Sequence, residues 1–239
     1  MLKAFSRQIQ GIKYLLTHPH QLKWVITREI YFGQRKNSKK KWVEWQKYDA
    51  KMHIMMMQAH AATLSVNTLN ATRIQIFIDM VNSIGKDLKI LDVGCGDGVI
   101  SEPIMKMGNY VAALELPTVA TLAKKCNVSS VMAGDAEELA FASESFDLVI
   151  ASEVVEHLWQ PQSFLDEAYR VLKVGGYLII ETPEGEEGLN YDSHRHFFTV
   201  ERLKHMLSTR FTLSEVKRLE ATGSAQTPTI ILLLRKSVA

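Results

Sequence analysis

The sequence predicts an α/β fold: a doubly wound, mostly parallel sheet of seven strands with helices on both faces, preceded by a helical N-terminal extension. Three observations carry this. From Leu88 onward, short β-rich runs alternate with helical stretches, and such alternation with short connections makes right-handed crossovers between parallel strands. The first run ends in Gly94-Cys-Gly-Asp-Gly98, a glycine-dense turn where a strand feeds a helix. The last two runs are separated by a loop too short for a parallel crossover, so they should pair antiparallel.

The elements follow in order. Phe5, Ile9, Ile12 and Leu16 recur at helical spacing with Lys3, Arg7 and Lys13 between them. Pro19 ends that helix, a second apolar stretch runs from Leu22 to Phe32, and Arg35–Lys41 reads as an exposed connector. A third helix is expected over Trp42–Leu64 and a fourth over Thr68–Ile84, closed by Gly85 as a left-handed cap. The expected strands are Leu88–Val93, Tyr110–Glu115, Ser129–Ala133, Phe146–Ala151, Gly176–Glu181, Phe211–Arg218 and Thr227–Leu234. Helices are expected over 99–107, 117–126, 161–172 and 200–207. This gives an extension over 1–85 and an α/β domain over 86–239.

The glycine turn is the most informative stretch. Glycines there let the backbone turn sharply and let a ligand approach where a Cβ would collide. The following helix N-terminus offers free N–H groups to an anionic ligand group. Glu115 ends the second strand about twenty residues on, placed to accept from ribose hydroxyls. A dinucleotide turn reads G-x-G-x-x-G, whereas here the third glycine comes one residue early. The residues thus leave a nicotinamide-dependent oxidoreductase and a cofactor with an amino-acid tail both open.

Leu91-Asp-Val-Gly-Cys-Gly-Asp-Gly98 resembles the first motif of class I S-adenosylmethionine-dependent methyltransferases. The resemblance continues in order through Glu115, Gly134-Asp-Ala-Glu-Glu-Leu139, Ser145–Ile150, Ser152–Leu158 and Tyr169–Gly176. It implies a Rossmann-like fold and S-adenosylmethionine as cofactor, with S-adenosylhomocysteine as product. It also implies roles: Asp92 and the Gly94 and Gly96 backbone for the methionine amine and carboxylate, and Glu115 for the ribose. Asp135 and the Ala136 N–H would read the adenine, and Ser152 would sit beside the sulfonium. Asp135 and Ser152 also suit plain helix capping. Val174 departs from the family, which has proline before the paired glycines.

Transfer to a hydroxyl needs a base within about 3 Å of the proton. Glu153, Glu156, His157, His194 and His196 are the candidates, and His157, Glu153 and His196 are assigned catalytic roles. If Glu153-Val-Val-Glu-His157 were helical, its carboxylates and imidazole would share a face and, with His194 or His196, could surround a divalent metal. Small-RNA 2′-O-methyltransferases and some quinone-precursor O-methyltransferases are similar here. The same run also occurs in class I methyltransferases without a metal, and no metal ligand is assigned.

Composition narrows the partners. Residues 1–48 hold eleven Lys or Arg and two acids, a formal +9, against −7 for the remainder. With Trp24, Trp42 and Trp45 this segment suits a cover over the cleft, with Met52 and Met55–Met57 as an adaptable lid. A peripheral membrane contact is the second reading. Nucleic acid is disfavoured by the lack of an Arg/Gly-rich tail. Two cysteines, Cys95 and Cys126, fit no disulfide framework. His18, Pro19 and His20 interrupt the first apolar stretch, so a cytoplasmic protein, peripheral to a membrane at most, is expected. The expected function is O-methylation of a small-molecule, glycan or lipid-type acceptor. The alternatives are a metal-assisted RNA 2′-O-methyltransferase, an NAD-dependent oxidoreductase and a non-catalytic cofactor-binding protein.

Overall fold

The computed structural model describes residues 38–60, 64–117, 120, 130–185, 194–220 and 228–237, with backbone alone for 48, 51–60 and 64–70. Two helices, α1 (Lys39–His60) and α2 (Leu64–Ile84), precede β1 (Lys89–Val93). There follow α3 (Ser101–Lys106), β2 (Tyr110–Glu115), β3 (Ser130–Ala133) and β4 (Phe146–Ser152). The chain continues through a 3-10 turn (Val155–His157), α4 (Pro161–Val171), β5 (Leu172–Pro183), α5 (Val200–Leu207), β6 (Phe211–Leu219) and β7 (Thr229–Lys236).

The seven strands form one sheet in the order β3-β2-β1-β4-β5-β7-β6, in which β7 alone runs antiparallel to its neighbours. The expected fold class is the observed one. Strand alternation decides the packing. Leu91, Val93, Val149, Ala151, Leu178 and Ile180 join one buried cluster with Phe164, Leu165 and Ala168 of α4 and Leu203 of α5. Ile90, Leu148, Ile150 and Ile179 join a second cluster with Phe77, Met80 and Val81 of α2 and Ile104 of α3. Sheet order reverses between β1 and β4, and an open α/β sheet forms its crevice at such a point, beyond the carboxyl ends of the strands.

Several boundaries differ from expectation. The compact units are 1–46 and 47–239, and α2, grouped above with the N-terminal extension, supplies core side chains beneath the sheet. Lys39–Lys41 open α1 instead of ending a connector, because the Ser38 Oγ caps the Lys41 N–H at 3.3 Å. Gly85 has φ 158°, outside the left-handed cap conformation; the left-handed residue is Asp87 at φ 54°. β5 starts at Leu172, four residues early, with Gly175 at φ 73° and a register shift against Phe146–Leu148. Trp42 and Trp45 are 2% and 1% exposed, so neither offers a ring face to an outside partner. The expected helices around Phe5–Leu16 and Leu22–Phe32, Trp24, the Met52–Met57 side chains, Cys126 and most of 117–126 lie outside the described residues.

Candidate functional site

Five strands end at one edge of the sheet, and each brings a polar group. Asp92 stands one residue before the end of β1, is 2% exposed, and accepts from the Ser101 hydroxyl of α3. Burial pushes its carboxyl up to about 7, against the lowering effect of the Ser101 hydroxyl. Beyond it the chain turns through Gly94 (φ 71°), Gly96 (φ 54°) and Gly98 (φ 79°). At Gly94 a Cβ would collide with the Val154 side chain. At Gly96 a Cβ would meet nothing within 4 Å, so that glycine faces open space.

Glu115, at the end of β2, closes over this turn. Its Oε2 accepts the Gly96 N–H at 2.9 Å and its Oε1 the Leu116 N–H at 2.7 Å. Burial raises its pKa, opposed by those two N–H donors. After β3, Asp135 Oδ1 accepts the Glu137 N–H at 2.9 Å, and Ala136 beside it is buried. Asp135 therefore does cap its own turn.

Ser152, at the end of β4, pairs in register with Glu181 of β5 and donates to its Oε2 at 2.5 Å. It caps no helix. Arg73 of α2 reaches both groups, donating from Nε to Glu181 Oε2 at 2.7 Å and from Nη2 to Ser152 Oγ. Arg73 and Glu181 were missed by motif reading; the signal available was that Arg73 is the sole Lys or Arg in α2.

The run from Glu153 to His157 is not one helical face, which corrects the expected geometry. Glu153 has φ 56°, and only Val155–His157 form a 3-10 turn. The left-handed backbone separates Glu153 from the turn at a cost of about 1–3 kcal/mol. Glu156 is 1% exposed; its Oε2 accepts from Thr182 Oγ1 at 3.0 Å, and its Oε1 lacks a hydrogen-bond partner among the described residues. Burial, then the neighbouring Glu156 and Glu181, raises the Glu153 pKa; burial also raises that of Glu156.

His157 meets His194 edge to face with ring centroids 4.8 Å apart. The ligand atoms of Glu156, His157 and His194 lie within 4.8 Å of one another, a set able to hold a metal ion. His196 is turned elsewhere. Its Nε2 contacts the Leu158 carbonyl at 3.0 Å, and it lines an open groove of about 530 Å³ with Trp159, Arg202 and Met206. Burial lowers its pKa, and Arg195 and Arg202 add to the effect. Thus Asp92, the glycine turn and Glu115 come together, as do Glu156, His157 and His194, while the His196 ring is turned to the Leu158 carbonyl.

Comparison with known proteins follows the same outline. Residues 91–180 match the family model described as "Methyltransferase domain". A ubiquinone biosynthesis O-methyltransferase of Rhizobium etli is 38% identical over 101 residues, covering 40% of this chain and 41% of that protein. One from Parvibaculum lavamentivorans is 32% identical over 133 residues, covering 51% and 48%. Each match therefore spans less than half of the relative's length. Among solved structures, the N-methyltransferase NodS of Bradyrhizobium japonicum, in complex with S-adenosyl-L-homocysteine, superposes with TM-score 0.61 at 19% identity, covering 71% of this chain and 88% of that one. The 1,6-didemethyltoxoflavin-N1-methyltransferase of Burkholderia thailandensis gives 0.65 at 17%, covering 84% and 91%. Both share the fold. Residues 91–180 are thus similar to the methyltransferase domain family, and the chain shares the fold of solved S-adenosylmethionine-dependent methyltransferases.

Proposed function

We propose that the chain transfers a methyl group from S-adenosylmethionine to an oxygen of a small-molecule, glycan or lipid-type acceptor, releasing S-adenosylhomocysteine. The observation that carries the cofactor is the open space at Gly96 beside the Glu115 carboxylate and the buried Asp92. In this reading the open side of the Gly94–Gly96 turn and Asp92 would hold an amino-acid tail, Glu115 a ribose, and Asp135 with the Ala136 N–H an adenine. The cofactor, when bound, supplies an electrophilic methyl and its own leaving group. Oxygen as the acceptor atom is supported by the names of the two ubiquinone biosynthesis O-methyltransferases above.

The chain's own task is to orient the acceptor, exclude water and take up a proton. His157 is assigned as the base or orienting group, 3.8 Å from Glu156 Oε1 and against the His194 ring. Glu153, kept protonated more readily than an ordinary carboxyl by burial, is assigned a catalytic role beside it. His196 is assigned a supporting role through the Leu158 carbonyl. A second reading places a divalent cation on Glu156, His157 and His194, supported by the buried Glu156 Oε1 that has no hydrogen-bond partner among the described residues. Contact with an anionic membrane surface is supported by the exposed Lys39, Lys40 and Lys41 at the start of α1.

Transfer of labelled methyl from S-adenosylmethionine to a panel of phenols, catechols, sugars and lipids tests the proposal. Incorporation that is lost in His157→Ala supports it, and loss in EDTA selects the metal-assisted form. Binding of the cofactor with no incorporation into any acceptor would leave a non-catalytic binding protein.

A further inference from the structure

The nucleotide side of the proposed cofactor site is tied to the acceptor side by one buried carboxylate. Glu137 is 9% exposed and follows Asp135, whose Oδ1 accepts its N–H. Its own Oε1 crosses to the other loop and accepts the Trp159 N–H at 2.6 Å and the Gln160 N–H at 3.0 Å. Gln160 is the N-cap residue just before α4, and its side chain makes no capping bond there. Glu137 thus does from the adenine-side turn what the N3 carboxylate of a capping box does locally, accepting the N–H of the N-cap residue.

The two segments are pinned again further along. The Leu139 N–H donates to Glu167 Oε2 at 2.8 Å, and Arg170 donates to the carbonyls of Leu139 and Phe141 at 2.8 Å each. Residues 135–141 and α4 are therefore held as one body. From Trp159 the connections run back to the site: His196 contacts the Leu158 carbonyl, and the Arg195 and His196 N–H groups both donate to the Glu156 carbonyl at 2.7 and 3.1 Å.

We propose that Glu137 is a positioning residue that couples occupancy of the Asp135–Ala136 turn to the order of the loop from Glu153 to Gln160. The proposal rests on the cofactor reading given above. A ligand seated on the turn fixes Asp135 and, through it, Glu137; Glu137 then holds the two loop amides. The loop needs such support because it carries Glu153 in a left-handed conformation. The acceptor side is in consequence assembled after the cofactor side is filled.

Amide hydrogen exchange on the full chain, with and without S-adenosylhomocysteine, tests this. In the wild type the ligand should slow exchange at Trp159 and Gln160 about tenfold. In Glu137→Ala both amides should exchange faster without ligand, and the ligand-dependent slowing should vanish while ligand affinity by calorimetry stays within about threefold. Glu137→Asp, which keeps the charge but withdraws it from the amides, should behave like Glu137→Ala. Glu137→Gln, which retains an accepting oxygen, should restore the slowing. Ligand-dependent slowing that survives in both Glu137→Ala and Glu137→Asp overturns the coupling. A wild type that shows no calorimetric binding overturns the cofactor reading itself and the coupling with it, so the two failures are told apart.

Discussion

Gly96 and Glu115 are joined directly: the Gly96 N–H donates to Glu115 Oε2 at 2.9 Å, while Leu116 holds the other carboxylate oxygen. The glycine turn after β1 and the acid ending β2 are thus one hydrogen-bonded unit. That unit spans the ends of β1 and β2, next to the β1–β4 point where the sheet order reverses, with its open side at the Gly96 Cα.

Glu115→Ala should weaken S-adenosylhomocysteine binding by about 1–3 kcal/mol, since it removes a charged hydrogen-bond acceptor and frees the Gly96 N–H. Isothermal titration reads this, and an unchanged affinity would remove Glu115 from the site.

Gly96→Val should abolish cofactor binding. The branched side chain would occupy the open space, and φ 54° is unfavourable for a β-branched residue. Circular dichroism should show a folded protein, because the Cβ meets no protein atom; binding at wild-type strength would contradict the assignment.

Asp92 makes the ligand-free protein sensitive to pH in a defined direction. Burial raises its folded pKa from 3.8 to about 7, so the stability gained from its neutral form is full below about pH 4 and is lost as pH rises to about 7. Asp92→Asn should therefore raise the melting temperature at pH 8, a gain of about 1–3 kcal/mol, and flatten the dependence between pH 4 and 7. It should also weaken cofactor binding by removing the charge opposite an ammonium group. Melting curves that fall as steeply in the variant as in the wild type would contradict this.

Arg73 is the cation that faces Glu181, Glu153 and Glu156. Arg73→Met strands Glu181, which is 1% exposed, and should cost about 3–5 kcal/mol in urea unfolding at pH 8. The double variant Arg73→Met/Glu181→Gln should recover part of that loss. Additive losses in the two single variants would show that the pair is not coupled.

His157→Ala and His194→Ala should each lower turnover by about 10²- to 10⁴-fold with cofactor affinity preserved, the range of a lost acid–base group. His196→Ala should have a smaller effect, because its ring faces the Leu158 carbonyl and the groove beside α4. Steady-state kinetics with each acceptor found in the labelling panel decides between them.

Local chemistry made most of the fold legible. Strand alternation such as Ile90/Leu91 and Leu148/Val149 records which face each side chain takes, and the glycine turn and Glu115 mark strand ends by residue type alone. What stayed hidden depends on contacts between distant segments. Arg73 and Glu181 are 108 residues apart, and no local pattern pairs them. The left-handed Glu153 breaks the helical face expected from Glu-x-x-Glu-His, because its N–H is drawn to the Glu181 carbonyl at 3.0 Å. His194 and His196 differ for a similar reason: the N–H groups of Arg195 and His196 converge on the single carbonyl of Glu156, and that turn sends the two rings to different surroundings.

Calorimetric titration of the full chain with S-adenosylmethionine, S-adenosylhomocysteine, NAD⁺ and NADH tests the central claim most directly. The account predicts micromolar binding of the first two, no binding of the nicotinamide nucleotides, and loss of the signal in Gly96→Val. Binding of a nicotinamide nucleotide alone, or of S-adenosylmethionine undiminished in Gly96→Val, would contradict it.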